Sequence, residues 1–202
     1  MVSFFRLSGT FSIWPTDFRH IGEHDVYNKI IVIYKSNTGF TQRYANWIAE
    51  DLHCNAIPLK SANITEMAQY DVVIFGGGIH AGIINGIQFI KNHLSLFKNK
   101  KIIVFATGAT PAIPEEIQRF EKTNIPANEN IAFFYFQSGM NYANMRGTDI
   151  MLMGLLKTVL KVKKNKSDIE QGTEDAIKNS YDYSDRSQIE PLIRFVNENY
   201  ES

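Results

Sequence analysis

The chain has 202 residues, of which 44% are hydrophobic, and this is the length and apolar content of one compact domain. Lys plus Arg and Asp plus Glu number 21 each, so the overall charge supports neither a nucleic-acid partner nor an acidic docking surface. A single cysteine excludes an internal disulfide and a thiolate metal cluster, which favours a reducing, cytoplasmic compartment, and no apolar run reaches the ~18 residues of a membrane span.

The first 28 residues lack the pattern of a folded element. Their aromatic side chains follow neither the period of a strand nor that of a helix, and Pro15 lies among them. Small polar residues interrupt any run that would serve as the apolar part of a signal peptide. We therefore expect residues 1–28 to form an extension and residues 29–202 to form the domain.

Five short apolar runs, rich in β-branched and aromatic residues, follow along the chain. Several are apolar at every position, as strands buried on both faces of a parallel sheet must be. The predicted strands are Ile30–Tyr34, Ala56–Leu59, Asp71–Gly76, Lys101–Thr107 and Ile131–Phe136.

Apolar residues at helical spacing follow several of these strands. They predict helices after the first, third and fourth strands and a closing helix, which opens with Ser187 and Glu190 at capping-box spacing. The alternation predicts an α/β doubly wound parallel sheet with helices on both faces and a ligand at the carboxyl ends of the strands. The apolar positions are Phe40, Tyr44, Trp47, Ile48 and Leu52; Ile83, Ile87, Ile90, Leu94 and Phe97; Ile113, Ile117 and Phe120; and Ile189, Leu192, Ile193 and Val196.

The turn after the first strand has the chemistry of a phosphate site. Its hydroxyls can donate to phosphate oxygens, its glycine lets the backbone approach, and the next helix offers free N–H groups and a favourable dipole. It lacks the Gly-Lys-Ser/Thr ending of a triphosphate loop, so a monophosphate fits better. The alternative is an ordinary N-cap turn, because Ser and Thr are favoured before helices. The residues are Ser36, Asn37, Thr38, Gly39, Phe40 and Thr41.

This Ser-x-Thr-Gly-x-Thr sequence resembles the FMN-phosphate loop of flavodoxins. The resemblance implies a flavodoxin-like five-stranded parallel sheet in the order 2-1-3-4-5, with FMN rather than FAD as the cofactor. It also implies that residues 36–41 hold the ribityl 5′-phosphate.

Two further loops follow the third and fourth strands, where this resemblance puts the flavin ring. Their glycines would let backbone amides reach the ring edge. The histidine of the first loop is either a donor to flavin or substrate or an ordinary surface residue. The predicted ring-contacting residues are Gly77, Gly78, Ile79 and His80 in the first loop and Thr107, Gly108, Ala109 and Thr110 in the second.

No other pattern assigns chemistry to protein side chains. The five histidines show no metal-ligand spacing, and no set of nucleophile, base and orienting residue is visible, so we predict no metal site and name no catalytic residue. The cofactor would carry the chemistry, and the protein would supply position and electrostatics.

The last third of the chain indicates which branch of the flavodoxin-like proteins the sequence resembles. A Gly-and-Tyr loop, residues 137–142, follows the fifth strand, and Tyr181-Asp182-Tyr183-Ser184-Asp185 precedes the closing helix. This order is similar to the flavodoxin-domain branch that includes the menaquinone-dependent protoporphyrinogen IX dehydrogenases. It implies an FMN-dependent oxidoreductase that oxidises protoporphyrinogen IX and passes electrons to a quinone.

An inserted helical segment near residues 143–170 has an apolar body and a lysine-rich end. One interpretation places it on the inner face of the cell membrane as a peripheral contact, since anionic lipids attract lysine clusters. The other packs it over the sheet edge with solvated lysines. In either case we expect residues 147–166 to affect turnover or partner docking without contributing to FMN binding.

Two functions therefore remain open, an oxidoreductase with an organic substrate and a one-electron carrier between redox proteins. A third possibility is an interaction module with a degenerate site. A roomy apolar cleft bounded by residues 137–170 would favour the enzyme, and an exposed ring edge in a flat face would favour the carrier. The sequence identifies neither the electron donor and acceptor nor the oligomeric state.

Overall fold

The computed structural model describes residues 29–67, 69–145, 147–164 and 179–199; the predicted extension 1–28 and the end of the predicted insertion lie outside this range. Five parallel strands form the main sheet in the order β2-β1-β3-β5-β6, and a short strand, β4, pairs antiparallel with β3. A separate two-stranded antiparallel sheet joins β7 and β8. The strands are β1 (Ile30–Lys35), β2 (Asn55–Pro58), β3 (Val72–His80), β4 (Ile83–Ile84), β5 (Lys101–Gly108), β6 (Ile131–Gln137), β7 (Gly139–Met140) and β8 (Tyr181–Asp182).

Helices connect the strands on both faces of the sheet, as predicted. The α-helices are α1 (Phe40–Asp51), α2 (Ile64–Met67), α3 (Gln88–Asn92), α4 (Pro114–Asn124), α5 (Thr148–Val162) and α6 (Glu190–Glu198). Short 3-10 turns lie at Leu59–Ser61, Tyr142–Asn144 and Arg186–Ile189.

Two apolar layers cover the main sheet because successive side chains of each strand point to opposite faces. Ile31 and Ile33 of β1 belong to the layer that contains Phe120 of α4, whereas Val32 belongs to the layer that contains Tyr44 of α1 and residues of α6. The sheet is therefore buried on both faces, and its ligand-binding edge is the one where the strands end. The predicted doubly wound fold and its strand order are confirmed, with β5 and β6 as the fourth and fifth predicted strands.

The third strand is longer than predicted. It continues beyond Gly76 to His80, and Gly76 pairs with Tyr34 of β1 and with Phe105 of β5. A Cβ atom on Gly76 would lie 2.0 Å from the ring of Phe105, so this glycine makes room for a core aromatic inside the strand. Gly76, Gly77 and Gly78 therefore all belong to β3, and the loop begins only after His80.

The single long helix predicted over Ile83–Phe97 is wrong. Ile83 belongs to β4 and is 49% exposed, and only the short helix α3 lies in this stretch, followed by turns. Gly86, at a φ of 85°, separates the two elements because that left-handed conformation interrupts a helix.

The closing helix also begins differently from the prediction. The Asp185 side chain, rather than Ser187, caps this end, because its carboxylate accepts a hydrogen bond from the Ser187 backbone N–H at 2.8 Å. A 3-10 turn follows, and α6 starts at Glu190. The capping side chain therefore lies at residue 185, two residues before the Ser187 expected from the sequence.

Gly76→Ala should destabilise the fold by about 1–3 kcal/mol, since the new methyl group overpacks the buried Phe105 ring. Urea unfolding of both proteins measures this. The matched control is Gly154→Ala, because Gly154 lies within α5 with nothing within 4 Å of its added Cβ, and alanine should stabilise a helix there by about 0.5–1 kcal/mol. Equal midpoints for Gly76→Ala and the parent would contradict the packing described.

Candidate functional site

An open cleft of about 410 Å³ lies at the carboxyl edge of the main sheet. Its volume is within the roughly 300–1,000 Å³ typical of small-molecule sites. The cleft brings together most of the predicted site residues from the ends of β1, β3 and β5. These are Asn37, Thr38, Phe40, Thr41, Gly78, Ile79, His80, Thr107, Gly108, Ala109 and Thr110.

Three predicted residues support the cleft from behind instead of lining it. Ser36 accepts a hydrogen bond from the Gly39 N–H at 3.1 Å, and Gly39 has a φ of 99°, so the two shape the turn into α1. Gly77 faces the chain after β4, where its Cβ would lie 2.5 Å from the carbonyl oxygen of Asn85. This glycine is needed for close backbone packing, which differs from the ring contact expected from the sequence.

The amino end of α1 opens into the cleft without a competing group. No side chain caps it, and its first turn contains no acidic residue. The first N–H groups of a helix lack intrahelical partners and carry partial positive charge, which favours an anion. Phe40 and Thr41 of this first turn line the cleft, so an anion bound there meets both the backbone donors and a hydroxyl.

Two buried hydroxyls connect the phosphate turn to the loop after β5. The Oγ1 atoms of Thr41 and Thr107 are 2.8 Å apart, and both residues are almost fully buried. A Cβ on Gly78 would approach both hydroxyls, at 3.5 and 3.9 Å, so Gly78 leaves the space beside them open. The pair fixes the relative position of two strand ends and leaves one of its two hydroxyl protons available to a ligand.

Asn124 positions the turn after β3, a role that no sequence pattern indicates. Its buried side-chain amide accepts from the Ile84 N–H at 2.8 Å and donates to the carbonyl of Gly82 at 2.9 Å. The turn needs this support because Ala81 and Gly82 both have positive φ, at 48° and 84°. Asn124 thereby holds the segment that presents His80 to the cleft.

Tyr135 holds the second ring loop. Its hydroxyl donates to the Thr110 carbonyl at 2.6 Å, and burial raises the pKa of the Tyr135 phenol above its ordinary value, so the donor proton is retained. A Cβ on Gly108 would lie 2.8 Å from the same hydroxyl oxygen. Gly108 is therefore required for this hydrogen bond as well as for access to the cleft.

The segment after β6 forms the second wall of the cleft. Asn141 and Asn144 donate side-chain N–H groups to the Thr38 carbonyl at 3.4 and 3.5 Å, so this wall contacts the phosphate turn directly. β8 secures it, since the close approach of Tyr181 to β7 leaves room only for glycine at position 139. The lining residues that sequence reasoning missed are Lys35, Ala81, Gly82, Asn85, Arg119, Phe120, Ser138, Gly139, Met140, Asn141, Met145 and Met153.

Tyr44 anchors the base of this second wall to α1. Its hydroxyl donates to the Gln137 carbonyl at 2.6 Å and accepts from the Asp185 N–H at 3.2 Å. Burial raises the pKa of Tyr44, so the hydroxyl remains protonated over the ordinary pH range. One buried phenol thus connects the end of β6 to the segment before α6.

The charge of the cleft suits an anionic ligand. Among its described lining residues, Lys35 and Arg119 are cationic and none is a carboxylate. Within the described parts of the chain, no group of three or more His, Cys, Asp or Glu side chains is arranged to hold a metal ion. A phosphate-bearing organic cofactor therefore matches the cleft better than a metal centre does.

Comparison with known proteins identifies the family. The family model described as a flavodoxin domain matches residues 31–169, more than half of the chain. The chain belongs to the flavodoxin domain family. An uncharacterized protein of Methanocaldococcus jannaschii is 29% identical over 92 residues, which cover 41% of this chain and 56% of that protein, so the flavodoxin-domain chain spans little more than half of this relative's length.

Solved structures with a similar fold include a putative flavoprotein and a flavodoxin. A putative flavoprotein from Bacteroides eggerthii is 21% identical, covers 68% of this chain and 100% of its own, and has a TM-score of 0.43. Two-electron reduced Megasphaera elsdenii flavodoxin is 19% identical, covers 52% of this chain and 82% of its own, and has a TM-score of 0.40. The family assignment rests on the matched flavodoxin domain and not on these structures.

FMN is the cofactor of this flavodoxin domain. The residues present fit that cofactor: an uncapped helix end and hydroxyls for a terminal phosphate, an open space over Gly78, and a cleft without carboxylates. We propose that Thr38, Thr41 and the first N–H groups of α1 hold the phosphate, and that the loops at 78–80 and 107–110 border the ring.

Thr38→Val should weaken FMN binding by about 1–3 kcal/mol, roughly 5- to 150-fold in Kd, because a desolvated phosphate oxygen loses its donor. Thr38 is only half-buried, so the fold should remain intact. Quenching of flavin fluorescence on titration of the apoprotein measures the Kd. Thr123→Val is the matched control, since the Thr123 hydroxyl bonds to the Arg119 carbonyl on exposed α4. Equal affinity of both variants would show that Thr38 does not face the phosphate.

Proposed function

We propose that the protein is an FMN-dependent oxidoreductase acting on a large, mainly apolar organic substrate. Protoporphyrinogen IX is the substrate that the family resemblance suggests for testing, with a quinone as electron acceptor. One observation carries the proposal: a second, apolar groove adjoins the flavin cleft. FMN, when bound, supplies electron or hydride transfer, and the protein residues supply binding, orientation and proton handling.

The groove has a volume of about 800 Å³ and runs from the cleft between α5 and the chain around β4. Its apolar walls are Ile83, Ile84 and Ile87 on one side and Met151 and Leu155 of α5 on the other. Apolar walls of this extent favour a broad hydrophobic molecule, because burial of apolar area is worth roughly 25 cal/mol per Å². A protein that only exchanges electrons with redox partners does not require such a groove.

The groove and the cleft share a border, and polar groups lie along it. Lys35, Asn37, His80 and Asn85 line both cavities. A substrate in the groove would therefore reach the flavin past these residues. The Lys35 ammonium can pair with a substrate carboxylate, and the Asn85 amide, which donates to Asn37 Oδ1 at 3.3 Å, helps to keep this border in place.

His80 lies at the border between the cleft and the groove, because its side chain lines both cavities. An imidazole can exchange hydrogen bonds with a bound molecule through its ring nitrogens. We propose that His80 orients the substrate in the groove toward the flavin.

Leu155→Glu should raise the KM for protoporphyrinogen IX about tenfold or more, because it places a charge on an apolar wall of the groove. FMN affinity should not change, since Leu155 does not line the cleft. Anaerobic turnover with menaquinone as acceptor measures KM and kcat. Leu96→Glu is the matched control, because Leu96 is also partly exposed, at 40%, but lies outside the groove.

Failure of the proposal has a distinct signature. If the FMN-loaded protein does not oxidise protoporphyrinogen IX, and if both glutamate variants exchange electrons with a redox protein as fast as the parent does, then the protein is an electron carrier. If it takes up no FMN at all, it is an interaction module.

A further inference from the structure

Helix α5 exposes an apolar stripe on one face. Met151, Leu155, Val159 and Val162 are spaced by four, four and three residues, which places them on the same side of a helix. They are 79%, 62%, 54% and 74% exposed. Other residues of α5 face the body of the protein: Leu160 is buried, and Met153 lines the cleft. Within the part of the chain that the structure describes, nothing covers this stripe.

Positive charge accompanies the stripe. The segment from Ile150 to Lys164 contains Lys157, Lys161, Lys163 and Lys164, whereas the one acidic residue of α5, Asp149, lies at the amino end of the helix; over the whole chain positive and negative residues balance. Lys157 lies over the Tyr142 ring at 4.3 Å and so points to the body of the protein. The remaining lysines lie at the carboxyl end of α5, next to Val159 and Val162.

The geometry points to an anionic lipid bilayer as the partner of this face, with α5 lying flat in the headgroup region. Interfacial helices combine an apolar face, which enters the boundary between headgroups and acyl chains, with lysines that pair with anionic headgroups. Each lysine near such a surface strengthens binding about fivefold. Within the described residues no helix is long and apolar enough to cross a membrane, so the contact would be peripheral.

A second copy of the chain fits this face less well. A helix of 15 residues is about 22 Å long and its stripe about 10 Å wide, so the stripe offers roughly 220 Å², against the roughly 800 Å² per partner of a stable interface. The lysines would also repel their counterparts across a symmetric contact. Lipid headgroups need no complementary protein surface, so a narrow stripe with adjacent lysines is sufficient for them.

Docking in this orientation would bring the apolar groove to the bilayer. Met151 and Leu155 belong both to the stripe and to the groove wall, and Ile83 on the opposite wall is half-exposed. An apolar molecule dissolved in the membrane would then enter the groove without crossing water. The binding claim itself does not depend on the proposed function.

Flotation of the purified, FMN-loaded full-length protein with vesicles tests the inference. We expect binding to vesicles of phosphatidylglycerol and phosphatidylcholine in equal parts and little binding to pure phosphatidylcholine. Raising the salt concentration should weaken binding because it screens the lysines. Absence of binding to the anionic vesicles at low salt would overturn the proposal.

Two double variants locate the contact. Val159→Glu with Val162→Glu should abolish binding, and Lys161→Glu with Lys164→Glu should reduce the partition coefficient at least about thirtyfold. The matched control, Lys98→Glu with Lys122→Glu, makes the same change in net charge on exposed residues outside α5 and should bind nearly as the parent does. None of these six residues lines the cleft, so flavin fluorescence should report intact FMN binding in every variant.

The variants also distinguish the alternatives. Equal losses in the α5 and control lysine variants would mean nonspecific charge attraction and would overturn the proposal. If the parent sediments as a dimer that the valine variant dissociates, and neither protein floats with vesicles, then the stripe binds a second copy instead.

Discussion

Parallel pairing of buried strands is the constraint on which the rest of this structure depends. Because β1, β3, β5 and β6 all run in one direction, their carboxyl ends meet at the same edge of the sheet. Both faces of the sheet are covered by apolar layers, so the chain can present polar groups to a ligand only where the strands end. The hydroxyls of Thr41 and Thr107 come together at 2.8 Å for this reason, although 66 positions separate them in the sequence.

The cleft combines two kinds of wall. The cradle at the strand ends is held by short buried contacts, including the Asn124 amide and the Tyr135 hydroxyl. The wall after β6 depends on a small hairpin and on longer hydrogen bonds from Asn141 and Asn144 to the phosphate turn. We propose that in this protein the first wall holds the cofactor, while the second wall adapts the site to a particular substrate or partner.

The sequence was sufficient to predict the strands and the three strand ends that form the cleft, because fully apolar runs and a hydroxyl-rich turn are local signals. The strand order came from the resemblance to flavodoxins, and twelve of the 23 residues that line the cleft were missed. Prediction from the sequence failed where a residue's role depends on a distant neighbour. Gly77 was predicted to be a loop glycine and Gly76 the last residue of a strand, yet both serve close packing, against the Asn85 carbonyl and against Phe105 respectively. No sequence pattern singles out Asn124, and only the folded chain reveals that it bonds to Ile84 and Gly82. The exposure of the apolar side chains of α5 likewise depends on which face of the helix packs against the protein, and the spacing of apolar residues in the sequence does not determine that.

We propose that the uncapped end of α1 and the hydroxyls beside it hold the terminal phosphate of FMN. Titration of the apoprotein with FMN and with riboflavin, which lacks only that phosphate, tests it most directly. Since hydrogen bonds to a charged group are worth about 1.5–3 kcal/mol each, FMN should bind at least about 100-fold more tightly than riboflavin. Equal affinity for the two flavins would contradict the account.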